Sequence, residues 1–74
     1  MKKKRPEIFS NHRFRELVEE YVQGETVRRM LIRFYVDEVT LEELEAEEHI
    51  SVSQIKRKIY PKARMIFRMM SNEP

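Results

Sequence analysis

The sequence predicts an all-α fold, a compact bundle of four short helices, or five if Pro61 breaks the last one. Three observations point there. Apolar residues recur at the i, i+3, i+4, i+7 spacing of a helix face along most of the chain. One glycine and no tryptophan suit a helical bundle better than a turn-rich sheet. At two points a Ser or Thr stands three residues before a Glu or Gln, just ahead of apolar periodicity, as at the start of a helix.

The elements follow in order. Residues 1–9 read as a flexible basic arm, with Lys2, Lys3, Lys4 and Arg5 in succession. Residues 10–74 read as one helical domain. Ser10 or Asn11 caps a first helix whose apolar face is Phe14, Leu17, Val18, Tyr21 and Val22. Gly24 is expected to end it, because glycine takes the left-handed position past a helix C-terminus without steric cost.

A second helix is expected from about Glu25 to Val36. Val27, Met30, Leu31 and Phe34 form its stripe, and Ile32, Tyr35 and Val36 widen it. A face that wide suits a central helix packed on more than one side.

Thr40-Leu41-Glu42-Glu43 is a capping box, with Val39 and Leu44 at the positions of a hydrophobic staple. Ser51-Val52-Ser53-Gln54 repeats the pattern, with Ile50 and Ile55 as the staple. Two starts this close leave room for one short helix, a tight turn and a further helix. The last helix begins at Val52 and keeps Ile55, Ile59, Ala63, Ile66, Phe67 and Met70 on one face. Pro61 removes the hydrogen bond to the Arg57 carbonyl, so a kink or a break is expected there.

Composition excludes several classes. The 74 residues allow one domain, and there is no cysteine for a disulfide or a thiolate metal site. His12 and His49 lie far apart, so no metal or other cofactor is expected. No apolar run is long enough to span a membrane, and none follows the basic start as a signal peptide would require. The expected location is the cytoplasm. No nucleophile is paired with a base, and no glycine-rich loop could cradle a phosphate, so no enzyme is expected.

The formal net charge is only +2, but the charges are segregated. Asp37, Glu38, Glu42, Glu43, Glu45, Glu47 and Glu48 form an acidic run without a basic residue. Lys56, Arg57, Lys58, Lys62, Arg64 and Arg68 form a basic run without an acidic one. The acidic run reads as a solvated face that does not meet DNA. The basic run reads either as a solvated face or as a phosphate-binding one. The N-terminal arm carries the same two readings.

A short helix, a turn of three to four residues and a second helix over about residues 40–60 form the arrangement that places a helix in the DNA major groove. Leu44, Ile50, Ile55 and Ile59 would be the buried corner. Val52, Ser53, Lys56 and Arg57 would face outward, with Gln54 near the helix start. Ser, Gln and Arg can bond base edges or phosphates, and Arg can bond guanine through two donors.

These residues carry a resemblance. Thr40-Leu41-Glu42-Glu43-Leu44, Ile50-Ser51 and Ile55 resemble the helix-turn-helix of bacterial and phage regulators. Arg29-Met30-Leu31-Ile32-Arg33-Phe34-Tyr35 extends the likeness toward the C-terminal DNA-binding region of sigma factors and small sigma-like phage regulators. The similarity spans roughly Arg28 to Arg64. It differs at Glu45, Glu48 and His49, where the family usually has a small residue, a large apolar one and glycine.

The resemblance implies sequence-specific binding of double-stranded DNA in transcriptional control, in a bacterial cytoplasm or a phage-infected host. Base contacts would fall to Val52, Ser53 and Arg57, and phosphate contacts to Gln54 and Lys56. Lys58 and Lys62 extend the basic surface. The alternative is a protein-binding regulator, an antirepressor or polymerase-binding factor, using its acidic helix and Met-rich C-terminus. Met65 and Met69 lie off the main stripe and are expected to face outward, toward a second copy or a partner protein.

Overall fold

A computed structural model describes residues 9–72 of the chain. It contains four helices, α1 (Asn11–Tyr21), α2 (Glu25–Tyr35), α3 (Leu41–Glu48) and α4 (Val52–Ser71), and the described residues form no strand. The all-α bundle is as the sequence predicts.

Three of the four helices start on a hydroxyl cap. Ser10, Thr40 and Ser51 each accept a hydrogen bond from the backbone N–H three residues on, at Arg13, Glu43 and Gln54. Each cap is preceded by an apolar residue that belongs with another five positions later, the staple arrangement. At α1 the pair is Phe9 and Phe14, with ring centroids 5.3 Å apart. Phe9 also meets Phe67 edge-on at 6.1 Å, so it is part of the folded body rather than of an arm. The basic residues Lys2–Arg5 lie outside the described residues.

Gly24 does not close α1 as expected. The helix ends at Tyr21, the chain leaves it extended through the buried Val22, and Gly24 at φ 95° is the residue from which α2 starts. A Cβ there would meet nothing within 4 Å, so glycine is required for its backbone angle and not for space. Tyr21, placed on the apolar face by periodicity, is 48% exposed at the end of the helix.

At the other end of α2, Glu38 takes a left-handed conformation (φ 58°), and the Val39 N–H reaches back to the Arg33 carbonyl. His49 ends α3 in the left-handed region (φ 58°, ψ 38°), doing without a glycine.

Pro61 neither breaks α4 nor starts a fifth helix. It lies on the exposed side, so water can reach the carbonyl that loses its partner. The buried residues Ile59, Ala63 and Ile66 hold the helix to the core on either side of it.

The core comes from all four helices. Phe14, Leu17, Val18, Met30, Leu31, Leu44, Ile55, Ile59 and Ile66 are at most 2% exposed, and among the described residues no polar or charged one is buried. α2 and α4 each pack on the three other helices, whereas α1 and α3 do not touch. α2 is therefore central, as its wide stripe implies. An aromatic chain runs through this core, with Phe14–Tyr35 at 5.7 Å, Tyr35–Phe67 at 5.1 Å and Phe34–Tyr35 at 4.9 Å between centroids. Burial, with a smaller contribution from Tyr60, pushes the Tyr35 phenol up to about 12.

Candidate nucleic-acid interface

α3 and α4 are joined by three residues, His49–Ser51. Leu44, Ile55 and Ile59 are fully buried between them and α2, and Ile50 is half-buried at the same corner. The turn is held by more than this apolar corner. At α3 the capping box is complete, with the Glu43 carboxylate accepting from the Thr40 N–H at 3.4 Å. At α4 only half of the expected device forms: Ser51 accepts from the Gln54 N–H at 3.3 Å. No bond returns from the Gln54 side chain. Instead the Glu45 carboxylate, one helix earlier, accepts from the Val52 N–H at 3.3 Å. A negative group is well placed beside the free N–H groups and positive dipole end of a helix.

The acidic run is exposed at Asp37, Glu38, Glu42, Glu43, Glu45 and Glu47, as the sequence suggests, but its end is tied to α2. Arg29 donates to both oxygens of Glu48, at 2.7 and 2.8 Å, and the Glu48 side chain is only 9% exposed. Arg33 forks onto Glu47 and also donates to Asp37 at 3.3 Å. Arginine suits such two-point pairing because its planar donors match a carboxylate. The arginine hydrogen bonds hold the Glu47 and Glu48 carboxyls below the usual range and raise Arg29 and Arg33 in turn. Glu48 thus ends α3 in an ion pair with α2 rather than in an apolar contact.

Arg28 has a third use. Its guanidinium donates to the Val22 and Glu19 carbonyls, the latter at 2.9 Å, at the end of a helix with no basic residue in its last turn. A cation there complements both the free carbonyls and the negative dipole end.

α4 presents the opposite picture. Ser53, Gln54, Lys56, Arg57, Lys58 and Lys62 are all exposed, and so are Arg64 and Arg68. Among the described residues none of the six cations on α4 forms an ion pair, and no carboxylate occurs between His49 and Asn72. Val52 is half-buried at the first turn, less available than the outward position expected for it. At about 100° per residue, Ser53, Arg57, Arg64 and Arg68 share one stripe, while Lys56 and Lys58 fall on opposite flanks about 200° apart. Lys62 follows Lys58 one turn on. The sequence-predicted residues therefore spread over the whole solvent side of α4.

Arg64 and Arg68 stand in the basic run but not among the contact residues that the sequence predicts. Their spacing from Arg57, at i+7 and i+11, was the signal that aligned them. Met65 and Met69, expected to face outward, are half-buried against the core, where they line a shallow depression beside Arg64 and Arg68. Among the described residues there is no cluster of acidic or imidazole groups able to hold a metal ion, and no helix is long and apolar enough to cross a membrane. The chain matches no protein-family model, no curated protein and no solved structure, so the reading of this surface stands on its own geometry.

Proposed function

We propose that the chain binds double-stranded DNA sequence-specifically, with α3 bracing α4 and α4 entering the major groove. The role is one of binding rather than catalysis, in transcriptional control of phage or mobile-element type inside a bacterial cell. One observation carries the reading. Every cation on the solvent side of α4 is unpaired among the described residues, while the α2 arginines are committed within the fold. An α-helix with exposed Ser, Gln and Arg in its first turns has the width and the donors to read base edges. Unpaired lysines and arginines around it supply phosphate contacts.

A regulator that gripped a basic protein through α3 would have Glu42, Glu43 and Glu45 exposed for it, but Glu47 and Glu48 are already engaged with α2. A lone module of this size meets few base pairs. The proposal therefore includes a second copy on a symmetric site or a partner protein, with Met65 and Met69 as the contact.

Selection of bound sites from a random duplex pool, at low and at moderate salt, tests the proposal. An enriched motif is the expected result, with affinity falling steeply as salt rises. No retention of duplex DNA at low salt, or retention that salt does not weaken, would sink it.

A further inference from the structure

α4 is 20 residues long and its exposed face is basic at both ends. At about 1.5 Å per residue it measures about 30 Å, whereas the major groove is about 12 Å wide. Only part of such a helix can lie against base edges. Ser53, Gln54 and Arg57 occupy the first turns. Arg64 lies about 16 Å along the axis from Ser53, and Arg68 about 22 Å, on the same stripe. With the first turns in the groove, a stripe continuing that far passes the groove wall, and the wall is phosphate.

Resting on the DNA reading above, we infer that α4 is divided in role at Pro61. The turns before Pro61 read bases, and Arg64 and Arg68 clamp the phosphate backbone where the helix leaves the groove. Both arginines are exposed, and neither forms an ion pair with a described residue, so both are free to take a phosphate. The half-buried Met65 and Met69, each the residue after one of the two arginines, pack against the core and set the base of the clamp by holding this end of the helix to it. A free helical end would carry its charges on a mobile stalk, whereas this one holds them at a fixed spacing of one turn.

The two halves separate experimentally. Binding of the full chain to a random-sequence duplex is followed by fluorescence anisotropy across a salt series, for the wild type, Arg57→Gln, and the double variant Arg64→Gln, Arg68→Gln. The double variant is expected to lose about 1.8 from the slope of log affinity against log salt, about 0.9 for each arginine. It should melt at the wild-type temperature and select the same motif from a random pool. Arg57→Gln should alter the selected motif. Restoring both charges as Arg64→Lys, Arg68→Lys should restore the slope. A double variant with the wild-type slope overturns the clamp and leaves DNA binding intact, and so does one whose selected motif changes instead. A wild type that binds no duplex overturns the DNA reading, and the clamp with it.

Discussion

α2 and α4 both carry arginines on one side and apolar residues on the other, yet the two helices spend their charge in opposite ways. On α2 each arginine has a structural partner: Arg28 holds the end of α1, Arg29 holds Glu48, and Arg33 holds Glu47 and Asp37. On α4 the cations meet no carboxylate among the described residues. The difference lies in the neighbour. The acidic α3 packs on both helices, but Glu47 and Glu48 are turned to α2 and Glu45 reaches only the backbone at the start of α4, which leaves the α4 side chains uncompensated on the outer face. Charge composition alone would not distinguish a cation that fastens the fold from one available to a ligand.

The largest expected effect tests the orientation of α4, on which the comparison depends. Ile55→Ala empties a fully buried site between α3 and α4 and should cost about 2–5 kcal/mol, most of the stability of so small a domain. Thermal melting followed by circular dichroism measures it. A variant that melts with the wild type would mean that Ile55 faces water, and the basic face would then be turned inward.

Acid should act on the α2–α3 contacts and spare α4. The carboxyls of Glu47 and Glu48 are depressed in the fold by their arginine hydrogen bonds. For such groups the stabilisation is present in full above the unfolded value and is lost as pH falls through the folded one. The melting temperature should therefore decline as pH drops below the ordinary glutamate value of about 4.5. Arg29→Gln should flatten that decline, and Lys58→Gln should not. Equal profiles for both variants would show that the pairs contribute nothing to stability, as exposed pairs often do.

The smallest effects compare single charges. Glu48→Ala should lower the melting temperature by a few degrees, and a cycle with Arg29→Ala should return a coupling between the two. Lys56→Ala and Lys58→Ala should stay within about 0.5 kcal/mol of the wild type, as exposed residues away from special features do. A lysine variant that destabilises as much as Glu48→Ala would reveal a structural role on α4 and erase the contrast.

The helix starts were legible because a cap is local: Ser10, Thr40 and Ser51 announce themselves within a few residues. The phase of α4 was legible too, since Ile55, Ile59, Ala63 and Ile66 repeat at helical spacing. What the sequence hid depends on distant neighbours. Phe9 follows a basic run, and its aromatic partners lie five and 58 positions away at Phe14 and Phe67. Gly24 could close one helix or open the next, and only the path through Val22 decides. Pro61 could be placed in α4, but whether the helix survives it depends on the core contacts on either side. Glu47 and Glu48 looked solvated because their partners, Arg33 and Arg29, sit one helix back. For the candidate site, the exposed cations were legible as a run. Their division into a stripe and two flanks follows from the same spacing only because α4 runs unbroken through Pro61.

The bond from the Glu45 carboxylate to the Val52 N–H has a consequence for any polyanion that approaches α4. A helix N-terminus ordinarily welcomes phosphate, because its open N–H groups and dipole attract negative charge. Here an internal anion already occupies that position, so an incoming phosphate would meet repulsion at the first turn. The attraction is displaced along the helix to side chains, which reach farther and adapt more readily than backbone N–H groups. In exchange the junction between α3 and α4 becomes stiffer, since one carboxylate bridges the two across the turn. The protein has closed its ready-made anion site and kept the geometry of the junction.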